Sequence, residues 1–362
     1  MNKITIIGDS GSGKTSYLYA MYHQLSYGYI KGFTISCIEE DYYDPKPNYE
    51  KDEELEDCYK KLENSNLGID RFPLRSDVKE KYVFSLKYKL QDVLSFGWTD
   101  YPGGYIDTRN GGSNEFLADL SSSDSWVIFI DGLKLYKVLV EIKDPAEKER
   151  FLHEEVFGKY ERCLHNNAYI IPSFISIIVT KSDLLLKPLF KKWYTDLNNY
   201  SPSERIKYAQ VKAREEVSDL FKENIFDNIP EEKFQISISY VTLGDSIAEN
   251  NYTGQLTPKN IEFPITISIL SILEKQYKTT IEEMAEKNKK IEEIRQSIFA
   301  AKERRIALQK EIDDICKPKL ERIKKVAMAI MQRINDDVIL YNHGRNNQVG
   351  IKNYFRNVLN IN

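Results

Sequence analysis

The stretch ITIIGDSGSGKTS, residues 4–16, constrains the fold more than any other part of the chain. Its first residues are a short β-branched run, which is typical of a buried strand. Residues 8–15 then fit the pattern G-x-x-x-x-G-K-[ST], in which backbone N–H groups of a tight loop hold phosphate oxygens. Residues 17–25 can continue as a helix, so strand, loop and helix N-terminus follow in the order that favours phosphate binding. The stretch predicts an α/β fold with a phosphate-binding loop.

The residues of this loop have separate predicted roles. Lys14 supplies a mobile charge for the β- and γ-phosphates of a nucleotide, and the hydroxyl of Thr15 is a ligand for Mg²⁺. The other contacts to phosphate come from backbone amides at the positive end of the helix. The predicted nucleotide ligands in this segment are Ser10, Gly11, Ser12, Gly13, Lys14, Thr15 and Ser16.

Composition narrows the class of protein. The chain has 362 residues, of which 41 % are apolar, and this is enough for a substantial core. Its net charge of −4 gives no electrostatic reason to expect a nucleic-acid partner. The N-terminus lacks a signal-peptide pattern, and the longest apolar runs are shorter than the ~20 residues of a membrane-spanning helix. The four cysteines lack a metal-binding spacing, so we expect reduced thiols. Together these features predict a cytoplasmic location and no transmembrane segment.

Strands and helices alternate through the first three quarters of the chain. Residues 82–99 predict a hairpin with its turn at Gln91 and Asp92. Three flat apolar runs predict strands of a sheet that is covered on both faces, namely residues 126–131, 174–179 and 234–239. Because helical stretches separate these runs, we expect residues 1–275 to form a three-layer α/β domain with a mostly parallel sheet. We expect insertions in this domain near residues 28–66 and 185–226.

The C-terminal quarter has a different pattern. Apolar residues from Ile291 to Ile315 alternate at spacings of three and four, which is a heptad seam, and a second amphipathic helix resumes after Pro318 and extends through Val338. Residues 276–341 are thus expected to be helical, and two interpretations remain open. The helices either fold back as a hairpin at Pro318 or form a coiled coil with a second copy or partner protein. Residues 342–362 are expected to form a short amphipathic tail docked on the protein.

Two further motifs follow predicted strands. In DYPGG, Asp100 is positioned to hold Mg²⁺, commonly through a water molecule, and the Gly103 amide can face a γ-phosphate. In TKSD, residues 180–183, the carboxylate of Asp183 can accept hydrogen bonds from the guanine N1–H and exocyclic amine, which adenine does not present. The Lys181 stem can lie on the face of the base. These motifs together predict a site for GTP rather than ATP.

The segments GDSGSGKT, DYPGG and TKSD, in this order and each after a strand, resemble the G1, G3 and G4 motifs of the TRAFAC-class P-loop GTPases. The resemblance covers roughly residues 1–275 and implies a Ras-like G domain that binds GTP and GDP with Mg²⁺. Thr180, Lys181 and Asp183 would then contact the base. Within the class, GIDRFPLRSD at residues 68–77 resembles a segment of the bacterial double-GTPase families, which are linked to conflict and defence systems.

The same resemblance implies residues in two further loops. Ser76 stands where the family has its switch I threonine, so it would contact Mg²⁺ and the γ-phosphate; the alternative that remains open is an ordinary loop serine. The loop that backs the guanine should follow the last strand, and there we expect Ser239, Tyr240 and Val241.

The position that follows the D-x-x-G motif bears on hydrolysis. Ras-like proteins carry a glutamine after D-x-x-G that orients the attacking water, whereas this chain has Gly104, which has no side chain for that task. We therefore expect slow intrinsic hydrolysis, assisted by Lys14, Ser76, Gly103 and an arginine. Three arginines lie in or beside the predicted switch loops, Arg71, Arg75 and Arg109, and we favour Arg75. Each of them is also interpretable as a solvated loop residue.

The expected function is that of a Mg²⁺-dependent GTPase switch whose two loops are ordered by GTP and released on hydrolysis. The switch would control the C-terminal helices, through which we expect self-association or a protein partner. Two alternatives remain: a GTP-binding scaffold with little or no hydrolysis, and a dynamin-like GTPase at a membrane surface.

Overall fold

The structure, a computed structural model, describes most of the chain. The described residues are 1–28, 32–40, 45–74, 79–106, 114–231, 235–245, 247, 252–295, 302–334, 338–342 and 348–361. The strands that these residues contain are β1 (Asn2–Gly8), β2 (Phe33–Cys37), β3 (Glu80–Tyr88), β4 (Gln91–Asp100), β5 (Ser125–Asp131), β6 (Ile175–Thr180), β7 (Gln235–Tyr240), β8 (Ile339–Asn342) and β9 (Gln348–Val349).

These strands form one nine-stranded sheet in the order β2-β3-β4-β1-β5-β6-β7-β8-β9. The central strands β4, β1, β5, β6 and β7 are parallel to one another, whereas β2, β3, β8 and β9 pair antiparallel at the two sides. The apolar runs that predicted strands near residues 126–131, 174–179 and 234–239 are confirmed as β5, β6 and β7. The parallel strands end at one edge, where the candidate site lies.

Helices cover both faces of the sheet. Those of the described residues are α1 (Lys14–Ser26), α2 (Tyr49–Glu63), α3 (Asn114–Ser121), α4 (Gly132–Tyr136), α5 (Pro145–Phe151), α6 (Gly158–Asn166), α7 (Ser182–Asp196), α8 (Pro202–Asn224), α9 (Glu262–Arg295), α10 (Lys302–Glu311), α11 (Lys317–Met331) and α12 (Ile351–Val358). Alternate residues of β1 enter different cores: Ile4 and Ile6 pack with α1, α2, α9, α11 and α12, and Ile7 packs with α3, α4 and α6 to α8. This arrangement gives the three-layer α/β fold expected from the sequence.

The β3–β4 hairpin differs from its predicted form in the position of its turn. Tyr88 pairs with Gln91, and the two residues between them, Lys89 and Leu90, have φ values of 49° and 66°. Two positive φ values in succession define a type I′ turn, whose twist matches that of the flanking strands. The prediction of a turn at Gln91 and Asp92 is therefore wrong, and those residues begin β4.

Part of the segment predicted as an insertion, residues 28–66, belongs to the central sheet. Strand β2 pairs with β3 at the edge, and α2 packs beside α1. The Tyr22 hydroxyl on α1 donates to Asp52 on α2 at 2.6 Å, and the same carboxylate accepts the backbone N–H of Cys37 at 2.6 Å. In the second predicted insertion, residues 185–226, the helices α7 and α8 pack on each other.

The C-terminal helices form a hairpin within the chain, but it does not fold back at Pro318. Helix α9 runs unbroken through the predicted boundary at residue 275, and α10 and α11 pack against it. Helix α10 then passes through a π-helical turn into α11, which carries Pro318 in its first turn. Proline is tolerated there because a first-turn N–H has no helical partner to lose. Self-association through these helices stays a prediction.

The predicted heptad seam is only partly buried in this hairpin. Ile291 and Ile312 are buried, whereas Ile315 is 59 % exposed. The prediction of helix through residue 341 is also wrong, because α11 ends at Met331 and residues 339–342 form β8, which pairs with β7. None of the helices in the described ranges is both long enough and apolar enough to cross a bilayer.

The C-terminal tail is docked on the protein, as expected. Ile351, Phe355 and Leu359 of the α12 segment are buried in the core beneath α9 and α11. The Tyr354 hydroxyl donates to Glu274 of α9 at 3.0 Å and accepts from the Gln235 amide at 2.6 Å. All four cysteines are free thiols.

Candidate functional site

The loop between β1 and α1 has the backbone that its glycines predict. Gly11 and Gly13 have φ values of 76° and 88°, which side-chain-bearing residues rarely adopt. This conformation lets the chain turn back at the end of β1 and present the N-terminus of α1, which begins at Lys14. Lys14 is 8 % exposed and donates to the carbonyls of Gly8 and Asp9 at 2.9 and 3.2 Å. Burial lowers the pKa of the Lys14 ammonium.

Asp100 lies beside Thr15, as the sequence predicts for two residues around one metal ion. The Thr15 hydroxyl donates to Asp100 Oδ2 at 3.1 Å. The carboxylate is 8 % exposed, and its Oδ1 has no hydrogen-bond partner among the described residues. Burial raises the pKa of Asp100 to about 6, against a partly opposing effect of Lys14. A buried carboxylate oxygen without a partner is costly, and a cation would satisfy it.

This pKa shift makes a testable prediction about stability. We expect Asp100→Asn to raise the free energy of unfolding of the nucleotide-free, metal-free protein by about 1–3 kcal/mol near pH 7. Because the folded-state pKa lies above the usual value of 3.8, the native state binds this proton more tightly than the unfolded chain. The advantage of Asn should therefore shrink as pH falls from about 7 toward the unfolded-state pKa of 3.8 and be lost below it, where the wild-type carboxyl is protonated in both states.

Denaturant unfolding in EDTA across this pH range measures the effect. The exposed Asp196 supports a matched control, Asp196→Asn, which should not change the pH dependence. An Asp100→Asn variant whose advantage is the same at every pH would contradict the prediction.

The D-x-x-G segment packs directly on the loop between β1 and α1. A Cβ atom placed on Gly103 would lie 2.2 Å from the backbone nitrogen of Ser10 and 2.7 Å from the carbonyl carbon of Asp9. Only glycine fits this approach. A Cβ on the neighbouring Gly104 would meet no atom of the described residues within 4 Å.

The TKSD residues join the end of β6 to the same loop. The Thr180 hydroxyl donates to the Ser12 carbonyl at 2.8 Å, and the Lys181 ammonium donates to the Gly11 carbonyl at 3.2 Å. Lys181 has a φ of 48° and also pairs with Asp131 at 2.7 Å. Asp183 Oδ1 accepts the hydroxyl of Thr242 at 2.8 Å, which ties α7 to the loop after β7.

The loop after β7 corrects one sequence prediction. Val241 lies in the site and its carbonyl accepts the N–H of Ser182 at 3.2 Å. Ser239 and Tyr240, by contrast, are buried within β7 and are not among the described residues that line the site. The sequence placed this loop too early because the strand continues to Tyr240. Thr242, Leu243 and Gly244 line the site in their place.

These segments surround a cleft of about 540 Å³, a size typical of small-molecule sites. The predicted residues that line it are Ser10, Gly11, Gly13, Lys14, Thr15, Ser16, Asp100, Gly103, Thr180, Lys181, Asp183 and Val241. Ser12 contacts Thr180 through its carbonyl and does not line the cleft. The structure thus brings the three motifs together around one cavity.

Several lining residues were missed by the sequence analysis. Phe72 and Tyr252 come from segments far apart in the chain, and their rings meet edge to face at 5.8 Å. Glu80, at the start of β3, also lines the cleft. No spacing pattern links these residues, so contacts between distant segments were needed to find them.

The structure describes only one of the three arginines that the sequence predicts near the switch loops. Arg71 is 1 % exposed and donates to the Gly254 carbonyl at 2.8 Å. This burial contradicts the interpretation of Arg71 as a solvated loop residue. Arg71 is also not among the described residues that line the cleft, so the structure gives no support for a role at the phosphates. The other two, Arg75 and Arg109, together with Ser76, lie outside the described residues.

The chain matches no protein-family model and no curated protein. An assignment of function for the cleft rests on its own chemistry.

The residues present fit a magnesium nucleotide. Mg²⁺ prefers oxygen ligands and is commonly held by one or two carboxylates together with the phosphates of its nucleotide. The hydroxyl of Thr15 and the unpartnered Oδ1 of Asp100 supply such oxygens beside a loop that presents helix N-terminal amides. Lys14 adds a positive charge for phosphate oxygens at the same place.

Proposed function

We propose that this protein binds GTP and GDP with Mg²⁺ and acts as a GTPase switch. The observation that carries the proposal is that Asp183 lines the same cleft as the phosphate-binding loop and Asp100. A carboxylate acceptor at this place favours guanine, whose N1–H and exocyclic amine are both donors. The contacts of Thr180 and Lys181 with the loop carbonyls support the proposal because they fix the base end relative to the phosphate end.

In this proposal each group has one task. Lys14 and the loop amides bind the β- and γ-phosphates, and Thr15 and Asp100 hold Mg²⁺, which neutralises charge on the phosphates. The Gly103 amide senses the γ-phosphate, so that its loss on hydrolysis releases the D-x-x-G segment. Val241 to Gly244 back the guanine. The helical hairpin of α9 to α11 is the proposed region that transmits the nucleotide state to a partner protein. Bacterial defence is the proposed biological setting.

Nucleotide binding followed by single-turnover hydrolysis tests the proposal. Purified protein should bind GTP and GDP in preference to ATP, and it should convert bound GTP to GDP faster than GTP decays in the same buffer. ATP binding that equals GTP binding would contradict the guanine assignment. The free cysteines suit a reducing compartment, so we also propose a cytoplasmic location.

A second candidate function is a GTP-dependent scaffold with little hydrolysis. Gly104 favours it because this position has no side chain to orient water, and the space around it is open. Guanine-selective binding with no turnover above the buffer rate, at low and high protein concentration, would support the scaffold and exclude the intrinsic switch.

A further inference from the structure

Glu80 is a carboxylate at the metal end of the cleft that no part of the proposed function uses. It begins β3, and in the antiparallel β3–β4 pair it lies directly opposite Asp100. Directly opposed residues of such a pair extend their side chains from the same face, with Cβ atoms about 5 Å apart. Glu80 and Asp100 both line the cleft, as does Thr15. The hairpin register therefore brings a second carboxylate to the predicted Mg²⁺ ligands.

A hydrogen bond from a neighbouring side chain holds Glu80 in place. The hydroxyl of Tyr82, two residues along the same strand, donates to Glu80 Oε2 at 2.7 Å. The Tyr82 side chain is itself buried and close to Lys51, whose ammonium lies 5.2 Å from the ring centre. One carboxylate oxygen of Glu80 is thus fixed by the protein, and the other accepts no hydrogen bond from the described residues.

A cation between Glu80 and Asp100 would offset the repulsion between their two carboxylates. Lys51, the lysine with an electrostatic effect on Glu80, forms its ion pair with Glu54 instead, and Asp100 Oδ1 has no hydrogen-bond partner in the described ranges. Lys14, the nearest basic group to Asp100 in electrostatic effect, donates to loop carbonyls instead. Two like charges on opposed positions of a sheet repel each other unless a positive charge lies between them.

We propose that Glu80 is a second carboxylate of the Mg²⁺ site, a positioning residue that accepts hydrogen bonds from water molecules on the metal. This inference rests on the proposed function and adds a residue to it. Mg²⁺ keeps several of its waters in nucleotide sites, and carboxylates that orient those waters raise metal affinity. Thr15 and Asp100 would hold the ion from the loop and β4, and Glu80 on β3 would orient its water molecules. Tyr82 fixes the orientation of Glu80.

The test measures Mg²⁺ affinity through nucleotide release rather than through turnover. A fluorescent GDP analogue is bound to the protein, and its dissociation rate is followed as Mg²⁺ is titrated. We expect Glu80→Gln to raise the Mg²⁺ concentration for half-maximal slowing of release by about tenfold. Tyr82→Phe should shift it in the same direction by about two- to threefold, because it frees Glu80 without removing it.

A second readout separates this role from a general structural defect. In EDTA, Glu80→Gln should bind GDP as tightly as wild type or tighter, since one negative charge near the phosphates has been removed. A variant that is merely misfolded would bind GDP more weakly with and without metal. The matched control Glu63→Gln, at an exposed position at the end of α2, should leave both measurements unchanged.

The outcomes distinguish this inference from the proposed function. If wild-type protein binds no guanine nucleotide, the proposed function fails and the inference fails with it. If wild-type binding is guanine-selective and Mg²⁺-dependent but Glu80→Gln keeps the wild-type Mg²⁺ dependence, only the inference is overturned. Weaker GDP binding by Glu80→Gln in EDTA would overturn it as well.

Discussion

Asp183→Asn is expected to weaken GTP binding by at least about 100-fold and to make xanthosine triphosphate the better ligand. In the proposed complex, the wild-type carboxylate would accept hydrogen bonds from both donors on the guanine edge. An asparagine amide turns an N–H toward the exocyclic position, where guanine has a donor and xanthine has a carbonyl oxygen. The wrong pairing leaves buried polar groups unmatched, which is why the effect is large.

Equilibrium binding of GTP, ATP and xanthosine triphosphate to both proteins measures this change of preference. The control is Asp196→Asn, at an exposed position at the end of α7. A variant that keeps the wild-type order of the three affinities would show that Asp183 does not read the base. Thermal unfolding of the variant is needed alongside, because Asp183 also accepts the hydroxyl of Thr242.

Gly103→Ala and Gly104→Ala should differ sharply although they are adjacent and chemically identical changes. At Gly103 the new methyl group would lie 2.2 Å from the Ser10 nitrogen, so the D-x-x-G segment or the phosphate-binding loop must move. Overpacking of this kind costs about 1–3 kcal/mol of folding free energy. At Gly104 the methyl group meets open space, so the change in folding free energy should stay within about 0.5 kcal/mol.

The same pair of variants tests the γ-phosphate sensor. Gly103→Ala should lower the affinity for GTP more than that for GDP, by about tenfold, since the Gly103 amide is the proposed γ-phosphate contact. Gly104→Ala should retain the wild-type ratio. Equal ratios in all three proteins would remove Gly103 from the sensing role. Binding of a non-hydrolysable GTP analogue and of GDP, with unfolding curves for each variant, provides the measurement.

Local pattern was enough to predict much of the sheet and of the cleft. The β1–α1 loop, DYPGG and TKSD each follow a strand, and the ends of parallel strands share an edge, so their meeting was predictable from their order alone. The β-branched and aromatic content of β5, β6 and β7 was enough to predict them as strands rather than helices. These features depend on residues close together in the chain.

The predictions that failed depend on competition between local and distant interactions. Residues 339–342 follow an amphipathic helix, but they pair with β7, and no helical periodicity could reveal that partner. Pro318 looked like a helix break, yet the π-helical turn before it gives proline a first-turn position. Arg71 resembled a solvated loop arginine until the Gly254 carbonyl, 183 residues away, was found as its acceptor.

The unbroken helix α9 connects the two ends of the molecule mechanically. Ile261, which lines the cleft, immediately precedes it, and the helix continues for 34 residues to the far end of the hairpin. At 1.5 Å per residue it is about 50 Å long, so a tilt of about 5° at its first turn moves its last turn by about 4 Å. Under the proposed switch, the helix would act as a lever arm with its short end at the cleft, and a small displacement there would become a larger one at its last turn.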